Sequence, residues 1–517
     1  LKSLKGREDA SFALATESAM TKVFLEGGRF ESEFAKQHRL SAARNERESF
    51  QVIVFPLSDD VADVTWEIEP PRNATGDEVG ASARVVGYVD CMQPSYPVDH
   101  NGWWPDPLLE YADSIDEVPF GEVLPLWVSI DVPADAKPGT YRGKVTVNAG
   151  GESQSVAIRL RVWDFELPNN THLRTALSLR GFREGIWPGL GPEETRSGYE
   201  DWMQGYYLNP GDIYSGPPKW SAERIRELVD GGMNAINLGY FGAAREPDFD
   251  EAAYWRSYEA LAAKIEDYMP TIEEAGARDL CYIYCFDERP QDQLDVVFET
   301  ANKLSERFPG IAIMTTAYDA NFGLSRDDAD AMDIWVPLTP KFDTLAPRIA
   351  DARAAGRDIW WYICIGPKHP HANWFIEYPA IEHRLIMGMM TAKYEPGGFL
   401  YYAVNRWPVN PTPCAGAPRT DWNPASYRNN NGDGSIMVAG PDGPMATLRL
   451  ENIRDGIEDY EYYLLLRELI DERGAPEALG EVTKDVVADL THFTYDPDVL
   501  SKERERVARE ILALRRR

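Results

Sequence analysis

The spacing of apolar residues changes character about a third of the way along the chain. Before that point short apolar runs alternate with polar positions: residues 50–54, stopped by Pro56, then 126–130, 141–147 and 156–162, with Pro, Gly and Asp turns between them. Such strands predict an antiparallel β-sandwich. The run ending in Trp163-Asp-Phe-Glu-Leu-Pro168 and Asn169-Asn170 reads as a last strand and a linker, which places a domain boundary near residue 170. From His172 onward strands and helices alternate. Strands are predicted at 173–179, 235–240, 279–286, 311–317, 334–338, 359–365 and 398–404, with helices at 221–230, 251–275, 291–308, 345–355 and 380–392. That alternation means a parallel sheet. Seven strands with an eighth element hidden in 181–220 or 405–440 predict a (β/α)8 TIM-like barrel over 171–470; no G-x-G-x-x-G or P-loop follows a strand to favour an open nucleotide-binding sheet.

Leu450, Ile453, Ile457, Tyr460 and Leu464 make an apolar stripe on one helix, with Arg454 and Glu458 paired at i,i+4. Residues 471–517 read as a helical extension packed on the barrel, and the many charges of 482–517 read as a solvated face.

The segment Asp279-Leu-Cys-Tyr-Ile-Tyr-Cys-Phe-Asp-Glu-Arg-Pro290 draws attention to itself. Six apolar or aromatic residues without alternation predict a strand covered on both faces, and Asp287 and Glu288 stand where it runs out before Pro290. Chemistry in parallel α/β folds gathers at that end of the sheet. Adjacent carboxylates push one pKa up, so a protonated Glu288 beside an ionised Asp287 suits glycoside hydrolysis. The same dipeptide also serves as a helix cap or a loop start. The other strand ends collect Arg180, Tyr240, Tyr318, Asp319, Tyr362, Gly366, Lys368, Tyr402, Asn405 and Trp407, the aromatic and polar lining of a sugar site. Trp360 and Trp361 are neighbours in one strand, so one of them faces the helices and the other the interior.

Composition narrows the partners. Of 517 residues, 84 are acidic and 53 basic, and the net charge of -31 repels phosphate backbones and anionic lipid, so no nucleic acid is expected. No apolar stretch is long enough for a membrane helix, and no membrane insertion is expected. The first residues lack an initiator Met and an apolar signal core; a trimmed chain with its signal segment removed is compatible with an extracellular or periplasmic place. Five cysteines, three of them inside predicted strands, imply no disulfide framework. Cys281 and Cys285 have no second pair at ligand spacing, so neither metal nor cofactor is expected.

Several ordered motifs resemble one family. Cys285-Phe-Asp-Glu-Arg-Pro290, Asn373 before Tyr378-Pro-Ala-Ile-Glu-His-Arg384, Phe399-Leu-Tyr-Tyr-Ala-Val-Asn-Arg-Trp407, Asn431-Gly-Asp-Gly434 and Leu450-Glu-Asn-Ile-Arg-Asp-Gly-Ile-Glu-Asp-Tyr-Glu-Tyr462 are similar to the catalytic region of glycoside hydrolase family 123. Arg47-Glu-Ser-Phe-Gln51 and Lys137-Pro-Gly-Thr-Tyr-Arg-Gly143 resemble the β-sandwich that precedes it there. Glu377 stands where the family usually carries Asp before the Tyr-Pro pair. The resemblance implies an exo-acting β-N-acetylgalactosaminidase with substrate-assisted, retaining catalysis through an oxazolinium. In that reading Glu288 is the acid and base, and Asp287 orients the acetamido group. Arg180, Tyr318, Trp361, Tyr362, Tyr402 and Trp407 are the candidate sugar contacts, with Asn373 and Asp433 on hydroxyls. The substrate would be an N-acetylgalactosamine-terminated glycan or glycolipid. A β-N-acetylglucosaminidase or broader hexosaminidase uses the same acid pair, and a non-catalytic glycan-binding protein is the reading from another class.

Overall fold

The computed structural model describes residues 10–26, 34, 36–92, 94–180, 191–243, 248–407, 411–475 and 480–516. Ten strands fill its first third: β1 Phe12–Ser18, β2 Gln37–Arg44, β3 Glu46–Pro56, β4 Val61–Arg72, β5 Gly80–Cys91, β6 Gly102–Leu109, β7 Ser114–Val118, β8 Leu124–Val132, β9 Gly139–Ala149 and β10 Glu152–Glu166. They form two five-stranded sheets, ordered β1-β3-β8-β5-β6 and β2-β10-β9-β4-β7, the arrangement of a β-sandwich. All pairings are antiparallel except β10 with β2. β10 alternates buried and exposed residues, as a strand with one wet face does, whereas β3 and β8 are buried on both faces. The second cover over β3 is a helix from the far end of the chain.

The parallel strands are β11 Thr175–Leu177, β12 Ile236–Phe241, β13 Cys281–Cys285, β14 Ala312–Thr315, β15 Ile334–Trp335, β16 Asp358–Ile359, β17 Trp361–Ile363 and β18 Phe399–Tyr401. Their helices are α1 Pro192–Gln204, α2 Ala222–Asp230, α3 Glu251–Ala275, α4 Leu294–Arg307, α5 Lys341–Thr344, α6 Ala346–Ala354, α7 Ala380–Leu385, α8 Thr391–Tyr394, α9 Leu448–Arg473 and α10 Pro497–Arg515. A closed (β/α)8 barrel is not shown: among the described residues the parallel ladder comprises a five-stranded sheet, β12-β13-β14-β15-β16, and a three-stranded one, β11-β18-β17. β16 and β17 are pieces of one stretch separated by Trp360, so the strands follow one another as an arc from β12 to β11.

Between β11 and β12 lies an irregular segment, not a strand. Leu179 N–H donates to Gly211 O at 2.8 Å, Ile213 N–H to Leu177 O at 3.2 Å, and Tyr240 N–H to Ser215 O at 3.0 Å. Side-chain amides complete the seam: Asn209 Nδ2 donates to Thr175 O at 2.9 Å and Asn237 Nδ2 to Asp212 O at 3.1 Å. Pro210 has no N–H for a ladder and Gly211 sits at φ +138°, and the segment that follows joins β11 and β12 through scattered bonds rather than as a regular strand. A cavity of about 770 Å³ opens on the seam, lined by Asp212, Trp220, Arg224, Asn237 and Tyr282 among others. Inside the arc, Tyr282, Tyr284, Met314, Ile334, Trp360, Tyr362 and Leu400 pack on one another.

α9 is buried almost all round along its first four turns, with far more than the expected apolar stripe inside. Its buried charges are paired with neighbours from every side. Arg384 of α7 donates to both oxygens of Asp459 at 2.6 and 2.9 Å and to Glu48 Oε1 of β3 at 2.9 Å, and lies 3.4 Å from Asp455 Oδ2. Arg504 of α10 meets Glu48 at 2.7 Å, Asp459 at 2.5 Å and Glu46. Arg84 of β5 reaches Glu451 at 2.7 Å. The expected Arg454–Glu458 pair is present at 4.0 Å, with Glu451 at 3.3 Å. The solvated face expected for 482–517 is therefore corrected at Arg504, whose charge is buried. α7 approaches α9 closely because Gly456 has no side chain: a Cβ there would lie 2.3 Å from Arg384 O.

Candidate active site

β13 carries two faces. Cys281, Ile283 and Cys285 point into the helix-side core, and Tyr282 and Tyr284 into the arc. Beyond Cys285 the backbone twists, with Phe286 at φ +57° and Glu288 at φ +48°, left-handed residues on either side of Asp287. Each costs on the order of 1–3 kcal/mol outside glycine and persists where the surroundings hold it. Here the surroundings do. Phe286 N–H donates to Phe241 O at 2.8 Å and Tyr318 N–H to Arg289 O at 2.7 Å. Thr315 Oγ1 donates to Phe286 O at 3.1 Å, and Glu288 N–H to Thr316 Oγ1 at 3.0 Å. Arg289 stacks 5.1 Å over the Phe286 ring and donates to Gln293 at 2.8 Å and to Ala243 O.

The carboxylates have separate partners. Asp287 Oδ1 accepts from Tyr284 Oη at 2.8 Å and Thr316 Oγ1 at 3.1 Å. Glu288 Oε1 accepts from Tyr362 Oη at 2.6 Å. Burial first, and then the charges of the two acids, raise the phenols of Tyr214, Tyr240, Tyr284, Tyr318 and Tyr362, so all five remain protonated. Tyr214, Tyr240 and Tyr284 form a cluster with centroids 5.1 to 5.8 Å apart. Arg180 lies 4.3 Å over the Tyr214 ring and 3.6 Å from Asp212, and Asn405 pins its backbone with bonds of 2.9 and 2.7 Å. Tyr318 is 44% exposed beside Glu288.

A second carboxylate centre stands at the end of β18. Asp433 is buried and accepts from Tyr402 Oη at 2.7 Å and Tyr401 Oη at 3.3 Å. Burial raises it to about 6, against the opposing pull of those phenols and of Lys368 and Arg406. Lys368 sits between the rings of Tyr96 and Phe375, 4.3 and 4.1 Å from their centres, and donates to Asn430 at 3.1 Å. Ser95 donates to the same Asn430 oxygen at 2.8 Å, and Tyr96 donates to Glu377, so the segment following β5 reaches this centre. Burial pushes the Cys364 thiol up to about 12 against the Gly366 N–H that its sulfur accepts, and the charges of Glu288, Asp433 and Asp287 add to the rise.

Two expected contacts, Trp361 and Asn373, lie elsewhere. Trp361 is fully buried against Phe342 and Tyr394 in the helix layer, with ring centres 5.0 and 6.0 Å away; it is Trp360 that faces inward. Asn373 is also fully buried, with Nδ2 donating to Cys364 O and Pro367 O at 2.7 Å each, so it shapes the turn after β17. Trp407 is half-buried, donates to Met437 O at 3.0 Å and meets Tyr199 and Trp422 edge-on. Asp319 caps its own turn through Asn321 N–H and Gly323 N–H. The sequence pointed to none of Tyr284, Tyr214 and Thr316. Alternation along β13 puts Tyr284 on the inner face, a usable signal; nothing about a lone threonine marks Thr316.

Comparisons with known proteins bear on the family and the fold. Residues 29–149 match the glycoside hydrolase 123 N-terminal domain, and residues 246–466 the glycoside hydrolase 123 catalytic domain. The chain belongs to glycoside hydrolase family 123. A family 123 glycoside hydrolase structure from Clostridium perfringens, reported for the details of glycolipid glycan hydrolysis, superposes with a TM-score of 0.72. It covers 98% of this chain and 99% of that one at 15% identity, and shows a common fold. A β-glucuronidase from Bacteroides uniformis is 12% identical over 82% of this chain and 51% of its own, and a putative α-galactosidase from Bacteroides fragilis 11% over 71% and 72%. Their TM-scores of 0.28 and 0.25 carry no argument. No curated protein sequence matches the chain.

Proposed function

We propose that this glycoside hydrolase releases terminal β-linked N-acetylgalactosamine by substrate-assisted, retaining catalysis. The observation that carries the reading is the pair of neighbouring carboxylates at the end of β13, each held by its own hydroxyl donors. The acetamido oxygen attacks the anomeric carbon as the glycosidic C–O bond breaks, and Glu288 gives its proton to the departing oxygen. Asp287 accepts from the acetamido N–H and faces the positive charge of the oxazolinium. Water then adds at the anomeric carbon, Glu288 takes its proton, and the ring opens. Tyr402, which Asp433 holds from behind, and Tyr318 beside Glu288 are the proposed sugar contacts. A glycolipid-borne glycan is the substrate class that the likeness to the Clostridium perfringens enzyme supports. In this reading residues 1–170 form the N-terminal domain, 171–470 the catalytic one and 471–517 a helical extension. The end of β10 at Glu166 and the start of β11 at Thr175 support the first boundary.

The test uses 4-nitrophenyl and alkyl β-glycosides of N-acetylgalactosamine and N-acetylglucosamine. Glu288→Gln should lower kcat on the alkyl substrate by a factor of about 100 to 10,000 and spare the activated aryl one. Asp287→Asn should damage both alike, since its deficit lies in closing the ring. Near wild-type turnover by Asp287→Asn, or a covalent adduct trapped by a 2-fluoro sugar, would require a protein nucleophile instead. Turnover confined to the N-acetylglucosamine substrates would move the specificity, and binding without any turnover would leave a lectin-like protein.

A further inference from the structure

Thr316 stands one residue beyond β14, on no motif, yet its hydroxyl touches both carboxylate residues. Oγ1 lies 3.1 Å from Asp287 Oδ1, 3.0 Å from Glu288 N and 2.8 Å from Tyr284 Oη. A hydroxyl offers one proton and two lone pairs. The Glu288 N–H occupies one lone pair, so the proton goes to Asp287 directly, or to Tyr284, which itself donates to Asp287 at 2.8 Å. By either route an unbroken run of hydrogen bonds leads from the backbone of Glu288 to the side chain of Asp287. Thr315 makes a different contact, gripping only the carbonyl of Phe286 and accepting from Ala317 N–H at 3.1 Å. The two threonines thus grip the turn at different points, and only Thr316 involves a carboxylate.

We propose that Thr316 is a positioning residue that ties the Asp287 carboxylate to the left-handed backbone of Glu288, so that orienter and acid meet the substrate in one fixed relation. This rests on the reading of Asp287 and Glu288 given above. A backbone held at φ +48° aims the Glu288 side chain, and the same hydroxyl fixes the Asp287 carboxylate, so rotation of either is felt by the other.

Thr316→Val keeps the shape of the side chain and removes the hydroxyl. It should lower kcat on 2-acetamido glycosides by about 10- to 100-fold, the range for a bond to a charged group, with KM changed by less than about threefold. The loss should fall on aryl substrates as it does for Asp287→Asn, and be somewhat larger on alkyl ones, where the aim of Glu288 also counts. Thr316→Ser should restore most of the rate. Thr315→Val, which loosens the same turn without touching a carboxylate, should lower the melting temperature and leave the ratio of aryl to alkyl rates unchanged. The proposal is overturned if Thr316→Val keeps kcat within about twofold while Asp287→Asn does not, if serine fails to rescue, or if the loss falls on alkyl substrates alone. A silent Asp287→Asn overturns the parent reading as well, and so distinguishes the two failures.

Discussion

Arg384→Met tests the buried charge network around α9 at its centre. The guanidinium makes a two-pronged bond to Asp459, a third bond to Glu48 and a close approach to Asp455, and its side chain is 3% exposed. Methionine fills similar space and leaves three buried carboxylates facing one fewer cation. Breaking a buried pair in this way costs about 3–5 kcal/mol, because desolvation of the remaining charges is no longer offset. Part of that cost depends on pH. In the wild type burial raises Glu46 to about 7 and Asp455 to about 6, whereas at Glu48 the same burial is outweighed by Arg384 and Arg504, which hold it below its ordinary value. Removing Arg384 takes away the largest of those opposing charges at Glu48, and its folded-state pKa rises. A carboxyl raised in the folded state favours folding below its unfolded value, and that contribution is lost as pH climbs through the folded value. The deficit of the variant should therefore widen from about pH 5 to about pH 8, by up to about 1.4 kcal/mol per pH unit for each carboxyl newly titrating there. Urea unfolding followed by tryptophan fluorescence at both pH values reads the difference. A loss below about 1 kcal/mol, or one equal at both pH values, would refute the reasoning.

Gly434→Ala would place a Cβ 2.7 Å from the Tyr402 phenol at a backbone φ of +65°. Tyr402 should leave Asp433, and kcat/KM should fall about 10-fold or more; unchanged kinetics would free Tyr402 of any role in the site. Asp433, raised from 3.8 to about 6 by burial, favours the folded state when protonated, so that contribution is lost as pH rises through about 6. Asp433→Asn cannot titrate, and its melting temperature relative to wild type should rise across that window; a constant difference would contradict the raised value.

Element identity was legible where burial follows sequence period. The unalternating run ending at Cys285 is a strand covered on both faces, and the carboxylates do stand at its end. The barrel expectation was met in part: counting strands leaves an open place after Pro210 and Gly211, and an irregular segment bonded to both neighbouring strands occupies it. Trp361 was assigned to the site because period 2 separates two tryptophans without saying which faces in. Asn373 looks like a ligand-binding amide in sequence, but its partners are backbone carbonyls of a turn formed only in the fold. The charges of α9 were hidden for a related reason. Solvent is the default partner of Glu451 or Asp455, and their arginines come from positions as distant as Arg84 and Arg384. Thr316 acts through where its one hydroxyl lands, which no local pattern encodes.

The bond between Arg504 and Glu46 spans 458 residues of sequence. A ribosome adding about 5–20 residues per second needs roughly half a minute to a minute and a half to cover that distance. From the end of β8 at Val132 onward the first sheet is complete in sequence, while Glu48 waits for Arg384 and Glu46 for Arg504. An emerging sandwich therefore keeps its future interface wet, with β3 open on one face, until the last helix has left the tunnel. Emergence of α10, and not the appearance of the first domain, sets the moment at which the two halves can seal against each other.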